Sequence, residues 1–157
     1  MLKIKVENSS TSSCILRVSG DVDENAQSIL TPIAASLSGK SVEVDCSGIQ
    51  RMNSIGTAEW MRFWTSVGAK RPIRFVLCSE AYMIFAMSIR FSAGIVESAR
   101  LQTICSACRK QIQICILRSD PEHLAPCPKC GKTAEPDPPL DIFREFFGAS
   151  GYRVGNG

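Results

Sequence analysis

Residues 41–56, SVEVDCSGIQRMNSIG, combine a strand, a break and the start of a helix. Residues 41–46 are predicted as a strand that Ser47-Gly48 ends. Residues 54–69 are predicted as a helix, and Asn53 or Ser54 is expected to cap it by accepting a hydrogen bond from a free backbone N–H group. The helix places these apolar side chains on one face: Trp60, Met61, Trp64 and Val67. The centre of the chain is therefore a strand followed by a helix.

On the N-terminal side of this unit, two strands and a helix are predicted. Residues 2–7 alternate apolar and charged side chains, and residues 13–19 follow after a polar turn, so the two segments are expected to form a hairpin. A turn is predicted at residues 20–23. Residues 24–38 show helical apolar spacing, and Pro32 predicts a kink or a restart after Thr31.

On the C-terminal side, the pattern predicts a strand at 73–78, a helix at 80–91 and a strand at 95–98. The order of elements is then β-β-α-β-α-β-α-β, which indicates an α/β fold with a mixed sheet covered by helices. Three cysteines fall on predicted strands and are interpreted as small buried hydrophobic residues. They are Cys14, Cys46 and Cys78.

The composition is that of a soluble chain with room for one domain and an appendage: 157 residues, 45% hydrophobic and 21% charged. The most apolar stretch, residues 81–89, is much shorter than the roughly 20 residues of a membrane-spanning helix. Because the N-terminus also lacks the apolar core of a secretory signal, a cytosolic location is expected. Paired cysteines in a reducing compartment favour metal binding over disulfides.

Four cysteines have the spacing C-x₂-C-x₁₈-C-x₂-C and are predicted to bind one structural Zn²⁺ ion. They are Cys105, Cys108, Cys127 and Cys130. Each pair can turn both sulfurs inward from one tight turn, and four sulfurs leave no open position for a substrate. Cys115, on a predicted strand at 111–118, is interpreted as a core residue, with a fifth thiol near the metal as the alternative. His123 is expected in an exposed loop.

These patterns predict three parts of the chain. Residues 1–102 form the α/β domain, residues 103–134 a small appended zinc ribbon, and residues 135–157 a Pro-rich linker, a short amphipathic helix at 140–147 and a loose tail. The helix is expected to fold back on the apolar residues 82–91, with binding to a partner or to a second copy of the chain as the alternative. Its apolar side chains are Leu140, Ile142, Phe143, Phe146 and Phe147.

Residues 44–56, VDCSGIQRMNSIG, together with the order of elements over residues 2–100, resemble a STAS domain, the fold of bacterial anti-sigma-factor antagonists. The family pattern is a strand ending in Asp-x-Ser, then Asp-Ser-Ser/Thr-Gly opening a helix. The resemblance implies a STAS-like mixed β-sheet covered by α-helices. It also implies a non-enzymatic regulatory protein-interaction module, whose partner would be an anti-sigma or kinase-like protein.

In the antagonists, the kinase phosphorylates the second Ser/Thr of that pattern. Aligning on Gly56 puts Ile55 there, and an isoleucine has no hydroxyl group, so the usual phosphorylation switch is not expected. Ser54 and Thr57 are neighbouring hydroxyls with a capping or packing role as the simpler interpretation. Because the positive end of a helix favours an acidic group of a partner, this loop and helix are the predicted partner surface. It comprises Arg51, Asn53, Ser54, Ile55, Gly56, Thr57, Glu59 and Arg62.

Two other classes of function are weighed against this prediction. Nucleic-acid binding by the zinc ribbon is disfavoured, because five basic and two acidic residues between Cys105 and Ala134 give +3, which a Cys₄ zinc site of charge −2 reduces to about +1. An enzyme is disfavoured because the chain has one histidine and no GxxxxGK phosphate loop. Asp21, Asp23 and Asp45 could cluster near one end of the sheet, but they are interpreted as turn and cap residues, so no catalytic residue is predicted.

Overall fold

The computed structural model describes residues 1–8, 10–134 and 140–149, and it confirms the α/β class. The strands are β1 Lys3–Asn8, β2 Ser13–Val22, β3 Ser41–Met52, β4 Ile73–Val76, β5 Ile95–Val96, β6 Ser98–Ile104 and β7 Gln111–Leu117. The helices are α1 Ala26–Leu30, α2 Ser54–Gly68, α3 Glu80–Ser88 and α4 Leu140–Ala149, and a 3-10 helix covers Thr31–Leu37. Within these residues, no helix is long and apolar enough to cross a membrane.

The main sheet is mixed and has the strand order β1-β2-β3-β4-β5. β1 and β2 form the predicted antiparallel hairpin, whereas β2 to β5 run parallel. Three successive crossovers each move one strand further in the same direction, and right-handed connections then place α1, α2 and α3 on one face. Val42, Val44 and Cys46 of β3 are buried on that face, whereas Glu43 and Ser47 point the other way.

The second face of the main sheet carries ion pairs. Arg17 bridges Glu7 at 3.1 Å and Asp45 at 3.4 Å, and Arg74 contacts Glu97 at 3.3 Å. Both arginines are more than half exposed, so solvent screens each pair and the pairs contribute little to stability. This face is therefore a solvated surface.

The predicted break at Ser47-Gly48 and the predicted turn at residues 20–23 are wrong, because β2 runs to Val22 and β3 runs to Met52. Two shifts of register, opposite the steps from Arg17 to Ser19 and from Gly20 to Asp21 of β2, place the extra residues in β3 and keep the two strands paired. A Cβ atom on Gly48 would lie 2.7 Å from the Cβ of Ser19, so glycine permits this close pairing. Ser47 and Gly48, which predicted the end of the strand, instead lie at a bulge within β3.

The predicted helix at 24–38 is two elements. α1 ends at Leu30 and the 3-10 helix begins at Thr31, which confirms the restart at this point. Pro32 lies in the first turn of the second element, where a missing backbone N–H costs nothing.

Aromatic side chains from α2, α3 and β4 fill the core above the sheet. Trp60 and Trp64 are completely buried, with ring centroids 5.5 Å apart, and both contact Phe75. Tyr82 of α3 stacks on Phe75 at 5.7 Å. The predicted buried face of α2 is confirmed for Trp60, Trp64 and Val67, whereas Met61 is half-buried.

The three strand-associated cysteines are buried hydrophobic residues, as predicted. Cys14 is 1% exposed, and Cys46 and Cys78 are fully buried. Burial and a hydrogen bond with Cys78 raise the pKa of the Cys46 thiol well above its ordinary value, so this thiol is protonated at neutral pH. These residues are packing elements of the core.

The β6–β7 hairpin forms a separate two-stranded sheet, which a single bridge between Ala99 and Cys78 joins to the chain just after β4. The backbone N–H of Cys78 donates to the carbonyl of Ser98 at 2.9 Å, and that of Arg100 donates to Cys78 at 2.7 Å. β6 runs through the predicted boundary between residues 102 and 103, and its buried side chains belong to the same hydrophobic cluster as the sheet. The buried residues of the hairpin are Ser98, Ala99, Leu101, Thr103, Ile112, Ile114 and Ile116. The division into domains stays a prediction.

The predicted C-terminal helix is present as α4, and its aromatic face is covered. Phe143, Phe146 and Phe147 are buried and belong to the common hydrophobic cluster. Arg144 pairs with Glu122 of the loop after β7 at 3.2 Å, which places α4 beside that loop. Contact of α4 with residues 82–91 stays a prediction, and the predicted linker at 135–139 and tail beyond residue 149 lie outside the described residues.

Candidate functional site

The four paired cysteines form one cluster at the end of the β6–β7 hairpin. Cys105 and Cys108 lie in the turn between the two strands, and Cys127 and Cys130 lie in a second turn that returns to it. The Sγ atoms of Cys105 and Cys130 are 3.6 Å apart, and those of Cys108 and Cys127 are 3.8 Å apart. All four sulfurs lie within 4.8 Å of one another, so the cluster could hold one metal ion.

The first turn is closed by two backbone hydrogen bonds around Cys105. Its N–H donates to the carbonyl of Lys110 at 2.9 Å, and its carbonyl accepts from the N–H of Arg109 at 2.8 Å. The turn therefore directs the side chains of Cys105 and Cys108 to the same side. Arg109 adopts a φ of +56°, a left-handed conformation that is unfavourable for a residue with a side chain.

The second turn repeats the first. The N–H of Cys127 donates to the carbonyl of Lys132 at 2.8 Å, and its carbonyl accepts from the N–H of Gly131 at 2.8 Å. Gly131 has a φ of +74° at the position that corresponds to Arg109. The two turns are thus equivalent, and only the second uses the residue that adopts this conformation without strain.

The thiols of the cluster differ in acidity. The backbone N–H of Cys108 lowers the pKa of Cys105 to about 6. The N–H of Lys132 lowers the pKa of Cys130, but desolvation and the neighbouring cysteines outweigh it and raise that pKa to about 11. Because metal ligands must be thiolates, metal binding at neutral pH releases protons and is opposed by acid.

Cys115 and His123 lie outside the cluster. His123 is exposed in the loop after β7, as predicted. Cys115 was expected in the core, but it is half-buried on the outer face of the hairpin, opposite Arg100. The strand alternates in the register that buries Ile114 and Ile116, so the residue between them must face outward.

The second candidate site is a groove of about 580 Å³ at the carboxyl ends of β2 and β3, called the strand-end groove below. Ligands of parallel sheets commonly bind at this end of the strands. α3 forms one wall. The groove is lined by Asp21, Val22, Asp23, Glu24, Gln50, Arg51, Met52, Asn53, Ala81 and Ile84.

Arg51 is held within the groove by Asp21. Its Nε lies 3.3 Å from Oδ1 of Asp21, and the N-terminal amino group of Met1 lies 3.6 Å from Oδ2. The hydrogen bond from Arg51 lowers the pKa of Asp21 below its ordinary value of 3.8. Asp21 is therefore ionised at neutral pH and helps to orient Arg51.

Asn53 forms the corner between β3 and α2. Its Oδ1 accepts from the backbone N–H of Gly56 at 2.8 Å, which confirms that Asn53 caps the helix. Its Nδ2 donates to Glu24 at 3.0 Å across the groove. Gly56 is buried against the backbone of Val22, where a Cβ atom would come well inside 3.0 Å. The start of α2 is therefore fixed against the end of β2.

The predicted partner surface is only partly assembled at this groove. Arg51 and Asn53 line it, and Ser54 and Ile55 are exposed at the adjoining start of α2. Gly56 is buried and Thr57 is half-buried.

Two further predicted contact residues lie away from the groove. Glu59 and Arg62 form an ion pair with each other at 2.6 Å and do not line the groove.

The sequence prediction missed the side of the groove formed by α3. Ile84 is 61% exposed, although the helix is buried on most of its circumference. Apolar residues occur all around α3, so periodicity could not separate its exposed position from its buried ones. Of the three aspartates that could cluster at one end of the sheet, Asp21 and Asp23 line the groove and Asp45 does not. Glu24, which was predicted only as the start of a helix, joins them.

Comparison with known proteins adds no relative. The sequence matches no known family and no curated protein. The resemblance to STAS domains therefore stays a prediction.

Proposed function

We propose that the chain is a non-enzymatic regulatory protein-interaction module, resembling anti-sigma-factor antagonists, that binds a partner protein in the strand-end groove. The observation that carries this proposal is the pair of exposed isoleucines beside it. Ile84 lines the groove and is 61% exposed, and Ile55 at the adjoining start of α2 is 58% exposed. Large apolar side chains at the border of a polar groove are typical of the anchor positions of a protein interface.

The charges of the groove indicate the chemistry of the partner. Three carboxylates and one guanidinium line it, so 1 − 3 = −2 is its formal charge. The free N–H groups at the start of α2 would attract an acidic group, but Asn53 already accepts from Gly56. A partner segment with an apolar side chain flanked by a basic residue therefore fits better than the acidic group suggested by the helix terminus alone.

The ionisable side chains that line the groove support binding without catalysis. The lining contains no histidine, cysteine or lysine. A general acid or base works best with a pKa near the operating pH, and Arg51 shifts the pKa of Asp21 further from it. Since Ile55 offers no hydroxyl group at the family's usual phosphorylation position, we further propose that regulation does not pass through that position.

We propose Zn²⁺ as the metal of the cysteine cluster and a structural role for it. Metal–sulfur bonds of about 2.3 Å in a tetrahedron give sulfur–sulfur edges of about 3.8 Å. The Sγ–Sγ distances of 3.6 Å between Cys105 and Cys130 and 3.8 Å between Cys108 and Cys127 fit that geometry. Four thiolates leave no open position on the metal, and free thiols are compatible with a reducing, cytosolic location.

Elemental analysis of the purified full-length protein tests the metal. One zinc ion per chain, lost when Cys108 and Cys127 are both changed to serine, is expected. Cys115→Ser is the matched control, because this thiol lies outside the cluster. Iron in place of zinc, or loss of zinc in the control, would contradict the proposal.

The partner surface is tested with a matched pair of isoleucines. Ile84→Arg introduces a charge in the groove, whereas Ile89→Arg introduces the same charge just after α3, at a position that is 40% exposed and does not line the groove. The wild type and both variants are used to capture proteins from nuclease-treated native lysate. Each captured candidate is then purified and its binding is titrated.

A protein that binds the wild type and Ile89→Arg with equal affinity, and Ile84→Arg at least tenfold more weakly, supports the proposal. Ile55→Arg is expected to weaken the same complex. If every captured protein binds all variants equally, the groove is not the docking site.

A further inference from the structure

The two ends of the β6–β7 hairpin lie far apart and have different surroundings. Ser98 pairs with Leu117 at the end that adjoins the main sheet, and Ile104 pairs with Gln111 at the end that carries the cysteine cluster. At about 3.3 Å per residue, β6 spans roughly 20 Å between them. Charges at the two ends are therefore separated by more than a Debye length of about 8 Å and act independently.

Four basic residues surround the cysteine cluster. Each follows or precedes a cluster cysteine by no more than two residues, and each is exposed. None of them makes an ion pair within the residues that the structure describes. This surface, called the basic tip below, comprises Arg109, Lys110, Lys129 and Lys132.

The two acidic residues of the segment lie at the other end. Asp120 is bridged to Leu117, where the hairpin meets the main sheet, and Glu122 is paired with Arg144 of α4. The basic tip therefore keeps +4 from its side chains, and a Cys₄ site of charge −2 leaves 4 − 2 = +2 around the metal. The net charge of about +1 for residues 105–134 with the zinc site does not show this separation, because it adds the charges of both ends of the hairpin.

The outer face of the hairpin is uncharged apart from Arg100. Gln102 lies directly opposite Gln113, and Gln111 lies opposite Ile104 nearest the basic tip. These side chains alternate with the buried ones and are exposed. Ile104 and Leu117 on this face are 60% and 44% exposed, but they lie at opposite ends of the hairpin, and the face has no aromatic anchor of the kind that dominates protein interfaces. A two-stranded ribbon can enter the major groove of DNA, where glutamine pairs with the edge of adenine.

We propose that the basic tip and the outer face of the hairpin bind double-stranded DNA, with the four cations on backbone phosphates and the glutamines towards the base edges. Duplex RNA is disfavoured because its deep, narrow major groove does not admit a ribbon. This site is separate from the strand-end groove, so the chain would join DNA to a partner protein. Either site can fail without the other.

Fluorescence anisotropy of a labelled 20-base-pair DNA duplex, titrated with the metal-loaded full-length protein between 50 and 200 mM salt, tests the proposal. Four phosphate contacts predict a slope of log K against log salt of about −3.6. Lys129→Gln/Lys132→Gln is expected to reduce the slope by about 1.8 and to weaken binding roughly sixtyfold at 0.1 M salt.

The matched control is Lys3→Gln/Lys70→Gln, which removes the same charge from two exposed lysines outside the hairpin. It should leave the slope unchanged. Metal content and circular dichroism are measured for every variant, so that a loss of binding is not confused with a loss of the fold. Gln102→Ala/Gln113→Ala should reduce the preference among duplex sequences and leave the slope unchanged.

Three results would overturn the proposal: equal losses in the tip and control variants, absence of binding at 50 mM salt, or equal affinity for duplex RNA. Displacement of the duplex by polyglutamate at equal charge concentration would assign the basic tip to an acidic protein instead.

Discussion

Among single residues, Gly56 fixes the start of α2 to the sheet. The backbone of Val22 occupies the space that any side chain at Gly56 would need. Asn53 completes the corner by capping the helix. The glycine that carries the family resemblance in the sequence thus has a packing role in this chain, independent of any phosphorylation.

Changing Gly56 to alanine should lower the free energy of unfolding by about 2 kcal/mol, because the added methyl group forces α2 away from β2. Urea unfolding followed by the fluorescence of Trp60 and Trp64 measures the change. Gly148→Ala in α4 is the matched control, since a Cβ atom there meets nothing within 4 Å. It should be neutral or stabilising by about 0.5 kcal/mol. Equal losses in both variants would refute this packing role.

Asp21 and Arg51 give a second test at this scale. The hydrogen bond from Arg51 lowers the pKa of Asp21, so the pair stabilises the folded state above the ordinary pKa, and this contribution disappears as the pH falls through the lowered value. Arg51→Gln should raise the pKa of Asp21 towards 3.8 in an NMR titration of the carboxyl group. Arg62→Gln, which removes the partner of Glu59, should leave it unchanged.

Among the elements, the two cysteine turns have the same backbone hydrogen bonds but different residues at their left-handed position. Gly131 adopts a φ of +74° without strain, whereas Arg109 has a φ of +56° at the equivalent place. The spacing of the cysteines predicted two tight turns. It did not reveal that the first one holds a strained residue.

Gly131→Ala should weaken metal binding by roughly fivefold, because a left-handed alanine costs about 1 kcal/mol in the metal-loaded turn. Competition with a chromophoric chelator measures it. Gly39→Ala is the matched control, since Gly39 has a φ of +73°, lies in open space and is remote from the cysteines. It should lower the stability of the protein and leave metal affinity unchanged. Equal metal affinity in the two variants would mean that the turn relaxes around the alanine.

For the whole molecule, the hairpin and the main sheet share one hydrophobic cluster. Cys78 is hydrogen-bonded to Ser98 and Arg100, and α3 also contacts β6. Continuous packing therefore links the metal site to the tryptophans of the main core, although no tryptophan lies in residues 103–134.

Removal of the metal with a chelator should lower the midpoint of thermal unfolding detected by Trp60 and Trp64. A coupling of about 3 kcal/mol corresponds to roughly 6–12 °C for a chain of this size. Cys115→Ser should show the same midpoint and the same response as the wild type. An unchanged tryptophan transition after complete metal removal would show that the two parts unfold independently.

The sequence by itself determined the features that depend on neighbours along the chain. Alternating and helical periodicities predicted the order of elements except β6, Asn53 was recognised as a possible helix cap, and the C-x₂-C spacing identified the cysteines that meet in one cluster. These properties follow from backbone geometry over a few residues, which local sequence controls directly.

Only the tertiary structure decided the features that require distant segments to meet. The bulges of β3 keep it paired with β2 beyond Gly48, and the return of α3 brings Ile84 and Arg51 into the lining of one groove. The length of the hairpin separated Asp120 and Glu122 from the basic tip, which no sum of charges along the chain could show. Such features depend on strand pairing and packing between segments far apart in sequence, and local residue patterns do not encode them individually.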